Sequence, residues 1–148
     1  MKALENWKDQ KSKIVFTNGC FDLIHRGHID YLSKAADLGD VLIIGVNTDE
    51  SVVKLKGKNR PIIDEYSRAL VLASMSFVTA VVLFNEDTPY ELISMIQPDV
   101  LVKGADYKVE EIVGSDIVLS KGGKVVTLAY LPGFSTTAIE KKIKGLTH

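Results

Sequence analysis

The sequence predicts an α/β fold, a Rossmann-like doubly wound sheet of five parallel strands with helices on both faces. Three observations carry that expectation. Five short runs, 13–17, 41–46, 80–84, 100–103 and 125–130, are almost wholly apolar and rich in valine, isoleucine and leucine, the pattern of strands covered on both sides. Between them lie stretches with helical periodicity and recognisable start and stop residues. Strands that alternate with helices run parallel through right-handed crossovers, and such sheets bind ligands at the carboxyl ends of their strands.

Taken in order, residues 1–12 are an N-terminal extension to which no strand or helix is assigned. The first strand, 13–17, runs into Thr17-Asn18-Gly19-Cys20-Phe21-Asp22. A helix is expected over 26–38, ended by Gly39, with Asp22 placed to cap its start. After the second strand, Asn47 and Asp49 suit the cap of a short helix at Ser51. Asp64 caps a further helix that reaches Met75. Past the third strand, Thr88-Pro89-Tyr90-Glu91 combines a capping threonine, a proline in the first helical position and a glutamate three residues after the cap, so a helix should run to Gln97, before Pro98. A helix over 110–119 is expected despite Gly114. The last helix spans 137–143, with Thr137 and Glu140 reading as its capping box.

Composition narrows the function classes. With 148 residues and 46% hydrophobic content, the chain can bury a sizeable core and is expected to form one domain over 1–148. Lys plus Arg number 18 against 19 for Asp plus Glu, a net charge of −1, so no global field draws it to nucleic acid or an anionic membrane. The lone Cys20 excludes an internal disulfide or a thiolate metal cluster and fits a reducing compartment. The opening residues lack the apolar core of a signal peptide, and no run approaches the roughly 20 residues of a membrane span; the expected compartment is the cytoplasm. No Gly-x-Gly-x-x-Gly follows the first strand and no P-loop sequence is present, which excludes the two commonest nucleotide signatures.

What remains is His25-Arg26-Gly27-His28, two histidines one helical turn apart where a strand gives way to a helix. Both rings can face one ligand above the strand end, a geometry that suits phosphate. Arg68 is a second anomaly, a cation inside the apolar run Ala69-Leu70-Val71-Leu72-Ala73. Such a charge must either be paired or reach a ligand, and both remain open. Cys20 has no partner that would make it a nucleophile and reads as filler.

Thr17-Asn18-Gly19-Cys20-Phe21-Asp22 with His25-Arg26-Gly27-His28, followed far downstream by Gly133-Phe134-Ser135-Thr136-Thr137, resembles the cytidylyltransferase-like nucleotidyltransferases. The resemblance covers almost all of the chain after about Ser12. Leu55-Lys56-Gly57 with Arg60-Pro61, Glu86-Asp87-Thr88-Pro89, Leu101-Val102-Lys103-Gly104-Ala105-Asp106-Tyr107 and Gly122-Gly123 are most similar to the branch that makes ADP-activated heptose. In many bacteria that activity is the C-terminal half of a bifunctional protein with a sugar kinase; this chain has no room for the kinase, so a free-standing form is expected.

The resemblance implies transfer of AMP from ATP to a sugar 1-phosphate, D-glycero-D-manno-heptose 1-phosphate, with release of pyrophosphate. It makes His25, His28 and Lys56 the catalytic residues, with His28 nearest the reacting centre and Lys56 on the α- and β-phosphates. Thr17, Asn18, Gly19, Phe21, Gly27, Arg68, Gly133, Ser135 and Thr136 are the nucleotide contacts it implies, and Lys103, Asp106 and Tyr107 the acceptor contacts. Mg²⁺ is expected with ATP, although no carboxylate cluster marks protein ligands for it. Relatives are commonly dimers, so a homodimer or higher homo-oligomer is expected. Two positions depart from the family pattern: Tyr130 stands where glycerol-phosphate cytidylyltransferases carry arginine, and Ala105 where the heptose enzymes have a second glycine. The alternatives are a CTP-dependent enzyme acting on glycerol 3-phosphate or an alcohol phosphate, and a catalytically silent nucleotide-binding sensor.

Overall fold

The strands β1 (Ile14–Gly19), β2 (Val41–Asn47), β3 (Ala80–Phe84), β4 (Val100–Gly104) and β5 (Lys124–Leu128) join in one parallel sheet with the spatial order β3-β2-β1-β4-β5. The architecture comes from a computed structural model that describes residues 2–146; Met1, Thr147 and His148, at the ends of the expected 1–148 domain, lie outside the described residues. Side chains alternate across the sheet. Val15 enters one core cluster with Tyr31, Leu32 and Ala35 of α2 (Arg26–Ala36) and Leu72 of α4 (Glu65–Ala73). Ile14 and Phe16 enter the other with Ile93 and Ile96 of α5 (Tyr90–Ile96) and Val118 of α6 (Ser115–Ser120). Helices therefore cover both faces, as the uninterrupted apolar strands require.

The pairing register opens the cleft. β1 pairs with β2 along its whole length, Ile14 with Val41 through Gly19 with Val46. With β4 it pairs only at Val15–Val100 and Phe16–Leu101. Beyond Phe16 the two strands part, at the place where the chain switches from building one half of the sheet to the other. That is where sheets of this class receive ligands.

Several elements differ from their sequence-based expectation. The extension contains a helix, α1 (Lys2–Asp9), whose Leu4 and Trp7 pack on the second cluster. Asp37 closes α2, not Gly39; a Cβ on Gly39 would lie 2.7 Å from the Lys13 carbonyl oxygen, so the glycine permits close approach instead of a left-handed turn. The short helix after β2, α3 (Asp49–Lys56), is capped by Thr48, whose hydroxyl accepts from the Ser51 amide. Asp64 caps α4 through the Ser67 amide as expected, and α4 ends at Ala73. Thr88 makes only a 3.4 Å bond to the Tyr90 amide and α5 begins at Tyr90 with no side-chain cap. The single helix expected over 110–119 is instead a 3₁₀ turn, Val109–Glu111, and α6, divided at Gly114 with φ +89°.

Candidate active site

The site begins in the turn after β1, where Phe21 and Leu23 hold φ of +53° and +52°, an uncommon conformation for side chains of this size. Asp22 lies buried between them. Its carboxylate accepts the amides of Ile62 (2.8 Å) and Ile63 (2.9 Å) and pairs with Arg60 at 3.5 Å. It thereby ties the segment between α3 and α4 to the first turn. The expected role as cap of α2 falls instead to His25, since the Asp22 side chain is directed to amides forty residues away.

His25 and His28 meet with ring centroids 3.9 Å apart. The Gly27 amide donates to His25 Nδ1 at 3.0 Å, and the His25 amide donates to His28 Nδ1 at 3.1 Å. An imidazole nitrogen that accepts a hydrogen bond carries no proton, so each neutral ring keeps its hydrogen on Nε2. Burial lowers both pKa values; for His28, burial, the facing His25 and Lys56 bring it to about 4. At neutral pH the pair is two uncharged N–H donors. Gly27 is required between them because a Cβ there would sit 2.9 Å from the His25 ring and 3.2 Å from Phe134 Cβ.

Both histidines line a cavity of about 420 Å³ above β1 and β4. Of the residues expected to act, the cavity brings together Asn18, Gly19, Phe21, His25, Gly27, His28, Lys56, Lys103, Ser135 and Thr136. Lys56 is the last residue of α3, not part of a loop, and has no ion-pair partner among the described residues. Ser135 Oγ accepts from the Ala138 amide at 3.0 Å and so caps α7 (Thr136–Leu146), while Thr136 Oγ1 donates to the Asp22 carbonyl at 3.1 Å. The expected Thr137–Glu140 box is replaced: Ser135 caps, and the Glu140 carboxylate pairs with Arg60.

Four expected contacts stand elsewhere. Thr17 is fully buried, its hydroxyl donating to the Val102 carbonyl and meeting the Tyr31 hydroxyl, both at 3.0 Å. Arg68, 1% exposed, has donors directed to the carbonyls of Ile63, Cys20 and Asn47 and to the Asp49 carboxylate at 2.7 Å. Of the two possibilities open for it, the structure places it in the paired one, clamping three segments below the site. Gly133, φ +86°, turns the chain ahead of α7 without lining the cavity. Asp106 is exposed and outside it.

The sequence assigned no site contact to Arg60, Tyr31, Phe134 or Tyr130, all of which line the cavity. Tyr130 stacks on Tyr31 with centroids 5.7 Å apart, and Phe134 lies under the Arg26 guanidinium. The Phe134 signal was present in the Gly133-to-Thr137 motif; Tyr31 lay hidden among helix residues whose apolar spacing reads as core.

A second cavity of about 450 Å³ adjoins the first and shares Asn18, Gly19, Cys20, Lys56, Lys103 and Tyr130 with it. Tyr107 lines this one, its ring 5.2 Å from the Lys103 ammonium. Burial lowers the Lys103 pKa. Among the described residues no three histidine, cysteine or acidic side chains meet as a metal site, and no helix is long and apolar enough to cross a membrane.

A two-cavity cleft at the switch point, edged by a histidine pair and a helix N-terminus, is the arrangement of a nucleotidyltransferase. The sequence profile described as cytidylyltransferase-like matches residues 16–142, and the chain belongs to that family. It is 58% identical over 137 residues to the bifunctional protein HldE of Campylobacter jejuni subsp. doylei, and 52% identical over 143 residues to that of Methylobacillus flagellatus. These alignments cover 93% and 97% of this chain but 29% of each relative, so the chain spans under a third of their length. Among solved structures it is similar to a lipopolysaccharide core biosynthesis protein from Thermoplasma volcanium GSS1, with TM-score 0.65 and 30% identity over 81% of this chain and 97% of that one. It shares its fold with a pantoate-beta-alanine ligase from Francisella tularensis, with TM-score 0.60 and 18% identity over 97% of this chain and 74% of the other.

Proposed function

We propose that this chain transfers AMP from ATP to D-glycero-D-manno-heptose 1-phosphate, in the synthesis of a cell-envelope polysaccharide. The observation that carries this is the pair of adjoining cavities with Lys56 and Lys103 on their common border. ATP takes the cavity with the histidines and α7, and the sugar phosphate takes the other. The identity to bifunctional HldE proteins and the likeness to a lipopolysaccharide core biosynthesis protein support the choice of substrate.

A sugar 1-phosphate is already anionic, so no general base is needed. One of its oxygens bonds to the α-phosphorus of ATP, the bond from that phosphorus to the β-bridging oxygen breaks, and the electron pair leaves with pyrophosphate. The obstacle is repulsion between two polyanions and the charge that grows on the α-phosphate, so positioning and hydrogen-bond donors supply the catalysis. His25 and His28 offer Nε2–H donors that cost no charge to bury. Lys56 supplies the cation between the two phosphates. The amides at the start of the eleven-residue α7, with Ser135 and Thr136 beside them, take the β- and γ-phosphates. Mg²⁺ would enter with ATP and neutralise phosphate charge; no protein cage for it is assigned, and the residues above act without a step through it.

A glycerol-phosphate cytidylyltransferase would need an arginine at position 130, where Tyr130 instead covers Gly104 so closely that a Cβ there would lie 2.2 Å from its hydroxyl. A homodimer is part of the same proposal: α4 exposes Tyr66, Leu70 and Val71, an apolar face suited to a second copy, and light scattering would read twice the chain mass for a dimer and the single-chain mass if the proposal fails. The activity is tested by pyrophosphate release with ATP or CTP crossed against heptose 1-phosphate or glycerol 3-phosphate. Release only with ATP and the heptose phosphate is expected; release with CTP and glycerol 3-phosphate, or nucleotide binding without any release, would overturn it.

A further inference from the structure

The Glu86-Asp87-Thr88-Pro89 segment has no role in the chemistry above, yet Asp87, Thr88 and Pro89 line the second cavity. Across from them Glu111, from the 3₁₀ turn after β4, lines it as well. The carboxylates of Asp87 and Glu111 form no hydrogen bond or ion pair among the described residues, whereas the carboxylate of the neighbouring Glu86 bonds the Asn85 amide at 3.1 Å and the Thr88 hydroxyl the Tyr90 amide. The cavity's charges are therefore sorted. Its two lysines, Lys56 and Lys103, stand on the border with the nucleotide cavity, and its two carboxylates belong to this cavity alone.

We propose that Asp87 and Glu111 read the hydroxyl groups of the acceptor at the end remote from its phosphate, and so set a minimum length for it. The inference rests on the function proposed above and names the specificity residues of that same site. Carboxylates free of partners accept hydrogen bonds from vicinal hydroxyls, and an anionic group is repelled from them toward the lysines. The acceptor is thereby oriented, phosphate toward ATP and polyol outward. Tyr107 and Tyr130, both on the wall, offer ring faces to the sugar's C–H surface. A three-carbon phosphate anchored at the lysines would leave both carboxylates unmet; a seven-carbon sugar phosphate would engage them.

The test is calorimetric titration of the whole protein with heptose 1-phosphate, glycerol 3-phosphate and inorganic phosphate, for the unaltered chain and for Asp87→Asn, Glu111→Gln and the pair together. Both side chains are exposed and the changes are isosteric, and the thermal midpoint of each variant reports whether it folds. The double variant should bind heptose 1-phosphate at least tenfold more weakly, bind glycerol 3-phosphate and inorganic phosphate as before or better, and keep its affinity for ATP, titrated in the same way. Lys103→Gln should weaken all three anions alike. Unchanged heptose phosphate affinity in a folded double variant, or an equal loss for all three ligands, would overturn the inference, as would an unaltered protein that binds none of the sugar phosphate. If binding discriminates as described but no pyrophosphate is released, the specificity assignment stands and the proposed reaction falls.

Discussion

In the proposed function, His28 is the side chain on which most chemistry converges. Replacing it with alanine removes one Nε2–H donor from the site, and deletions of a single preorganised donor elsewhere cost about 10² to 10³ in turnover. His28→Ala should therefore lower kcat by about that factor in a steady-state assay while the thermal midpoint stays close to that of the parent. Protonation offers a second check. Because the folded pKa of about 4 lies below the 6.5 of a free imidazole, the unfolded chain takes up a proton in that interval that the folded chain refuses. Stability should fall as pH drops from 6.5 toward 4, read in denaturant titrations, and the rate profile should show no limb from this histidine between pH 6 and 8. Arg68→Met would leave three carbonyls and a carboxylate without their donors. A loss of about 3 kcal/mol in unfolding free energy is expected. From sequence, Arg68 was visible only as a misplaced charge, because its partners at Cys20, Asn47 and Asp49 lie 19 to 48 positions away.

At the scale of elements, the motifs that carry their own geometry were the legible ones. The histidine pair forms its hydrogen bonds within four consecutive residues, so spacing was enough to reveal it. Strand positions followed from apolar runs and moved by no more than two residues at either end. What escaped was set by distant contacts. The α1 helix offers only Leu4 and Trp7 to the core, too little for periodicity to register among its charged residues. The break at Gly114 arises because its backbone turns left-handed against Ile93, where an added Cβ would lie 2.6 Å from Cδ1. Gly114→Ala should cost about 1–3 kcal/mol in stability through that strain and overlap, measurable by urea unfolding. Asp22 shows the same dependence on remote partners. Asp22→Asn would release one of the two bonds that hold Ile62 and Ile63, and faster amide exchange confined to residues 57–63 is the expected result, with a raised KM for ATP as Arg60 loses one of its two carboxylate partners.

For the molecule as a whole, function follows from where the sheet stops pairing. β1 and β4 separate after Phe16 and Leu101, and the cavity with the histidine pair is lined by residues at and after the end of β1 together with Lys103 of β4. The sequence disclosed the side of the cleft to which the proposed function assigns the nucleotide, since its two motifs are short and local. The side proposed for the acceptor was only partly legible: Lys103 and Tyr107 stand at and after a recognisable strand end, but the wall with Phe84, Asp87 and Glu111 is assembled from the ends of two strands, β3 and β4, that do not pair with each other. A net charge of −1 leaves polyanion binding to this local concentration of donors, so raising ionic strength should raise both KM values while leaving the fold intact. The central claim, that the two cavities join a nucleotide to a sugar phosphate, is tested most directly by phosphorus NMR of the purified chain with ATP, heptose 1-phosphate and magnesium. The expected spectrum shows a new diphosphate ester growing in equal amount with pyrophosphate; ADP, orthophosphate or unchanged substrates in place of that ester would contradict it.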